Sequence, residues 1–207
     1  MIRVPGGDGV AFTEAGDGDQ RDDLRSRSLV SASLGIPEEW ASLNQIHGNL
    51  VHRVDHPGVI GEGDAMWSTV RNLPLAVFTA DCFGVVLHAR EAVGVAHAGW
   101  RGSRAGVVAR LRDEMAAEGH APTRAALGPG IGACCFEVGE EVSTEFEGFT
   151  TATTWGTPSV DLAAVIRTEL SGLEVWDADD CTFHQPGSFS FRRDQTSLRM
   201  ATIGWLP

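Results

Sequence analysis

The hydrophobic pattern of the chain is dominated by three short apolar runs. Leu75–Thr79 and Gly84–Ala89 flank Ala80-Asp81-Cys82, and Ala92–His97 runs directly into Ala98-Gly99-Trp100-Arg101-Gly102. Short valine-rich runs bounded by turn residues predict strands rather than helices. Further strands are expected at Asn49–Val54, Met66–Thr69, Thr123–Leu127 and Met200–Leu206, with Val10-Ala11-Phe12 as an edge strand. Helical spacing marks Leu24, Leu29, Val30 and Leu34, with Gly35 placed as a C-terminal cap. It marks Val107, Val108, Leu111 and Met115 as one stripe, in a helix capped by Ser103 and ended by Gly119. Asp161 is placed to cap a helix carrying Leu162, Val165, Ile166 and Leu170, and Val138, Val142 and Phe146 suggest another.

Strands and helices alternate irregularly. Leu75–Thr79 and Gly84–Ala89 stand too close together for a helical crossover. The expected architecture is therefore α/β (α+β), a single domain over residues 1–207 with mixed β-sheets packed against helices.

Composition changes this picture little. At 207 residues with 43% hydrophobic and 21% charged side chains, the chain has the makeup of a soluble globular protein with a sizeable core. A formal net charge of -12 opposes binding to a nucleic acid polymer or an acidic membrane surface. A small anion remains acceptable wherever arginines cluster locally. No stretch resembles a signal peptide or reaches the ~20 apolar residues of a membrane span, so a cytoplasmic location is expected. Oligomeric state is left open.

The candidate chemistry sits at strand ends. Cys82 and His97 terminate predicted strands, and His47, in Gln45-Ile46-His47-Gly48, precedes another. Taken singly, Cys82 is most simply a small buried hydrophobe, and each histidine a hydrogen-bonded structural imidazole. Together they form a borderline-soft donor set suited to Zn2+, with copper as the other option, and leave a fourth position open. Asp81 is placed as a partner of the cysteine, a proton acceptor or a strand-end cap. Arg101 is placed as a phosphate ligand or a surface ion pair, with Arg192 and Arg193 as further positive charge or surface groups. Cys134, Cys135 and Cys181 are read as structural, since adjacent cysteines do not easily point into one site. His52, His56, His88, His120 and His184 are read as structural or surface groups, His88 as buried beside Val86.

Several strings carry a resemblance. Gln45-Ile46-His47-Gly48, Gly63-Asp64-Ala65, Thr79-Ala80-Asp81-Cys82 and His97-Ala98-Gly99-Trp100-Arg101-Gly102 come first. They are followed in order by Gly128–Gly139, Val160-Asp161-Leu162, Cys181-Thr182 and Ser190-Phe191-Arg192-Arg193-Asp194. This series resembles the YfiH-type laccase-domain family, also described as polyphenol oxidases or peptidoglycan-editing factors. The resemblance implies a zinc site at His47, Cys82 and His97. It also implies phosphorolysis of purine nucleosides, with adenosine deamination and methylthioadenosine cleavage in the same family, so the implied partners are a purine nucleoside and phosphate. Two departures stand out: no Arg-x-Gly-Gly stretch near Phe12, and Leu198-Arg199 where the family has Gly-Arg.

Other readings are a metal-free Cys82–His97 nucleophilic pair, or a cysteine or zinc hydrolase editing peptidoglycan precursors. A non-catalytic zinc module would want a fourth protein ligand, and none stands out. Copper-dependent phenol oxidation is the weakest, because seven scattered histidines do not form a multicopper pattern.

Overall fold

The computed structural model describes residues 1–207. Its strands are β1 (Ile2–Arg3), β2 (Val10–Phe12), β3 (Ala41–Asn44), β4 (Val51–Arg53), β5 (Gly58–Glu62), β6 (Ala65–Ser68) and β7 (Leu75–Thr79), followed by β8 (Phe83–His88), β9 (Val93–Ala98), β10 (Arg124–Leu127), β11 (Thr150–Ala152), β12 (Pro158–Val160), β13 (Glu174–Asp177) and β14 (Met200–Gly204). The helices are α1 (Leu24–Leu34), α2 (Trp100–Arg104), α3 (Val107–Ala117), α4 (Glu140–Ser143), α5 (Leu162–Glu169) and α6 (Phe191–Asp194). None is long and apolar enough to cross a membrane.

Two six-stranded mixed sheets stack face to face, in the orders β1-β2-β14-β7-β3-β5 and β13-β10-β8-β9-β6-β4; β11 and β12 form a small separate ladder. The period-2 alternation of strand side chains explains the layering. Along β7, Leu75 and Val77 join the core between the sheets with Val86, Val93 and Val95, while Ala76 and Phe78 face the other way. There they meet Val30 of α1 and Trp40. Val85 and Leu87 of β8 face outward onto Leu111 and Met115 of α3 and Ile166 of α5. With both faces of each sheet covered, the central strands read as unbroken apolar runs rather than alternating ones.

The fold corrects several sequence expectations. β7 and β8 do not pair: the chain leaves one sheet at Thr79 and enters the other at Phe83, so Ala80-Asp81-Cys82 spans the gap between them. Val10–Phe12 lies one strand in from the edge, which β1 occupies. Leu24 and Leu29 of α1 are exposed, because only a narrow stripe around Val30 meets the sheet. Ser103 caps nothing. Gly106, at φ 69°, splits the expected long helix, Gly99 occupies the N-cap of α2, and Ser103 lies inside that five-residue helix.

Candidate metal centre and pocket

The β7–β8 crossover, the end of β9 and the loop after β3 meet at one end of the two sheets. They bring one ligand atom each from His47, Cys82 and His97 within 4.8 Å of one another. The two imidazoles meet edge to face, with ring centroids 4.8 Å apart. His97 is buried, Cys82 half-buried and His47 exposed, so the set opens to one side.

A buried carboxylate holds this arrangement. Asp64, with no exposed surface, accepts from the backbone N–H groups of His47 (2.9 Å) and Gly48 (2.6 Å) and lies 2.8 Å from His97 Nδ1. Its contact with His97 fixes which imidazole nitrogen faces the sulfur, a standard way of orienting a metal ligand. The backbone bonds hold His47 at φ 60°, a left-handed conformation that few non-glycine residues adopt. Gln45 adds a second restraint: its amide donates to Phe78 O and accepts from Phe78 N, both at 2.8 Å, tying the loop to β7. Neither Asp64 nor Gln45 was singled out from the sequence as a site residue. The available signal was their place inside the Gly63-Asp64-Ala65 and Gln45–Gly48 strings.

The donor chemistry suits a cation. Burial opposes the Cys82 thiolate, but His97 and His47 beside it outweigh burial and lower the thiol to about 6. Burial likewise opposes the His97 imidazolium, but the Cys82 thiolate and Asp64 raise it to about 9. The sulfur is thus held in the thiolate form that binds metals. Gly99 leaves the space required, since a Cβ there would lie 2.8 Å from Cys82 Sγ and 3.3 Å from His47 Cδ2.

These ligands line one wall of a cavity of about 850 Å³, a volume typical of small-molecule sites. All sixteen basic residues of the acidic chain are arginines, and five of them line this cavity: Arg21, Arg27, Arg101, Arg192 and Arg199. Four of the five, all but Arg21, have no carboxylate partner. Arg101 lies over the ring of Trp100 at 4.2 Å, Arg192 over Phe136 at 5.1 Å, and Arg27 between Trp40 and Phe78. Burial lowers the pKa of Arg27 and Arg199, Arg21 adding to the effect at Arg199. Guanidinium groups without a direct ion-pair partner favour an anion in the cavity, tempered by Asp19, Asp22 and Asp81 nearby.

Asp81 also borders the cavity, buried and at φ 89°. One carboxylate oxygen accepts from Thr182 Oγ1 and the other from the Arg192 backbone N–H, each at 2.7 Å. Arg193 turns away to donate to the carbonyls of Thr182, Phe183, Gln185 and Ser188. Arg27 and Arg199 escaped the sequence reading because α1 looked purely structural and Leu198-Arg199 looked like a departure.

The family model described as multi-copper polyphenol oxidoreductase laccase matches residues 12–207. The chain belongs to this laccase-domain family. It is 39% identical over 197 residues to a purine nucleoside phosphorylase of Streptomyces griseus, covering 87% of this chain and 80% of that protein. A purine nucleoside phosphorylase of Deinococcus radiodurans is 36% identical over 204 residues, covering 90% and 80%. Among solved laccase-domain structures, Bacillus licheniformis YfiH superposes with a TM-score of 0.81 at 26% identity, covering 89% of this chain and 80% of that one. Geobacillus stearothermophilus YlmD gives the same score and identity, covering 91% and 82%. For this laccase-domain chain the family's multi-copper description lacks a histidine-rich centre, since only His47 and His97 of seven histidines line the cavity.

Proposed function

We propose that this chain is a zinc-dependent purine nucleoside phosphorylase. The observation that carries this reading is the meeting, in one cavity, of a carboxylate-buttressed His47–Cys82–His97 set with four arginines that have no carboxylate partner. Three protein ligands with an open side suit a catalytic zinc site. Zinc held by these three residues would supply Lewis acidity beside the reacting group.

The chain's own residues carry the rest. Arg101, exposed and free of carboxylates, presents a planar donor fork to phosphate, with Arg192 and Arg199 adding charge. Phosphate attacks the anomeric carbon of the ribose as the bond to the purine nitrogen breaks, and the base leaves with the electron pair and takes up the proton that hydrogen phosphate gives up. Phe191 lines the same cavity, exposed and with no arginine over its ring, and offers an aromatic face for the purine. Asp81 acts as a positioning residue, fixing Arg192 and the Thr182 turn through its two filled carboxylate oxygens. Adenosine deamination and methylthioadenosine cleavage are assigned to the same pocket. The four cysteines are free thiols, which fits the reducing cytoplasm.

A metal-free thiol mechanism is the second reading, favoured by the lowered Cys82 thiol. Incubating the zinc-loaded and chelator-treated protein with inosine, with and without phosphate, tests both. Phosphorolysis gives hypoxanthine and ribose 1-phosphate only when phosphate and metal are present. Unchanged turnover after metal removal would favour the thiol reading instead.

A further inference from the structure

A second ligand cluster lies outside the cavity. Cys134 and Cys135 stand on the turn that follows Gly132, and Cys181 and His184 on a facing turn, the two joined by a bridge between Gly130 and Cys181. One ligand atom from each of these four residues lies within 4.8 Å of the others. The Cys134 and Cys135 sulfurs are 3.5 Å apart. Cys134 Sγ lies 3.8 Å from His184 Nδ1, and Cys135 Sγ 3.3 Å from His184 Nε2. Bonds of ~2.3 Å to sulfur and about 2.0–2.1 Å to nitrogen give a tetrahedron with edges of about 3.5–3.8 Å. Spacings of up to 4.8 Å contract by up to about 1 Å for the four to close on one ion, with a single nitrogen of His184 as ligand.

The surroundings are built to the same end. The Gly132 N–H donates to Cys181 Sγ at 3.2 Å. A Cβ on Gly132 would lie 3.1 Å from Cys134 Sγ and 3.4 Å from Cys181 Sγ, crowding both sulfurs by a few tenths of an ångström. Arg193 grips the Cys181–His184 turn from behind through the carbonyls of Thr182 and Phe183. All three cysteines are free thiols. Adjacent cysteines do not easily point to one place, but the tight turn after Gly132 brings the Cys134 and Cys135 sulfurs 3.5 Å apart.

We infer that Cys134, Cys135, Cys181 and His184 form a second, structural metal site that takes one zinc-like divalent cation. Four protein ligands close the coordination sphere, so this ion has no position for substrate. None of the four residues lines the cavity, but Ile131, Phe136 and Arg192, close to them in the chain, do. The ion fastens together the two turns behind that wall of the pocket.

The test titrates metal-free, reduced full-length protein with Zn2+ and with Co2+. About two equivalents are expected to bind the wild type, and about one each Cys82→Ala and Cys181→Ser. Cobalt in Cys82→Ala is expected to show the strong thiolate charge-transfer absorption of a three-sulfur tetrahedral site. Cobalt in Cys181→Ser is expected to show the weaker band of a one-sulfur site. Cys82→Ala lacks a ligand of the proposed catalytic centre, so its count reports the second site alone and separates failure of one from failure of the other. If Cys181→Ser does not fold, Cys82→Ala alone decides. No metal bound to Cys82→Ala would overturn the inference, as would a disulfide among Cys134, Cys135 and Cys181 in protein isolated with its thiols protected.

Discussion

The two ligand clusters of this chain are built on opposite principles. His47, Cys82 and His97 come from three separate elements at the ends of two stacked sheets, and a buried aspartate holds them open towards a cavity. Cys134, Cys135, Cys181 and His184 come from two facing turns and close on themselves near the surface. Three ligands backed by the Asp64 carboxylate would leave a coordination position open, while four ligands on two turns would leave none. The difference shows where chemistry and where stability should fail. Damage to the open set should abolish turnover and spare the fold, whereas damage to the closed set should loosen the pocket wall.

The largest effect is expected from Cys82→Ala. Losing the metal ligand removes several kcal/mol of electrostatic assistance, so phosphorolysis should fall ~10³-fold or more. Metal content should drop by one equivalent with little change in thermal unfolding. A variant that loses activity and melts many degrees lower would blur the contrast between the two clusters.

Acid sharpens the contrast only if metal loss is separated from unfolding, and His88 provides the means. It is buried between the sheets with Nε2 unpartnered. Burial, aided by the charge of Arg124, lowers its pKa from the ordinary histidine value of 6.5 to about 4. The unfolded chain therefore takes up a proton in that window that the folded chain refuses. Stability is full above pH 6.5 and declines by up to about 3 kcal/mol as pH falls to 4. Denaturant melts should show this acid slope in the wild type and a flatter one in His88→Gln. Equal slopes would assign the acid sensitivity elsewhere.

Asp64→Asn is expected to weaken zinc binding at the open set by about 10–100-fold, the usual cost of losing such a partner. Metal at the closed set should be untouched, which competition with a chelator would show. The smallest effect belongs to Arg101→Ala. The Michaelis constant for phosphate should rise ~10-fold, a loss of about 1.4 kcal/mol, with zinc content unchanged. An unaltered phosphate dependence would return Arg101 to a purely structural place beside Trp100.

Legibility in the sequence followed physical locality. The central strands, the α3 stripe and the Asp161 cap rest on short-range patterns, and the structure reproduces them. Ser103 misled because a hydroxyl before an apolar stripe looks like a cap, while the left-handed Gly106 decides where the helix breaks. The partition of β7 and β8 into different sheets was invisible, since three residues serve equally for a turn or a step between layers. The convergence of His47, Cys82 and His97 became visible through the resemblance, as spacing alone matched no contiguous motif. Cys134, Cys135, Cys181 and His184 were missed because their closeness depends on a bridge between segments about 50 residues apart and on a glycine whose role is space. The arginines of α1 and β14's approach were missed because charge clustering is a property of the fold, not of the chain order.

The most direct test of the account is an anomalous-scattering map at the zinc edge, from crystals of the metal-loaded protein soaked with phosphate and a non-cleavable purine nucleoside. An ion is expected between His47, Cys82 and His97, at about 2.0–2.1 Å from each nitrogen and ~2.3 Å from the sulfur, with phosphate beside Arg101 and the nucleoside in the same cavity. An empty His47–Cys82–His97 set in zinc-saturated crystals, or phosphate and nucleoside bound elsewhere, would contradict it.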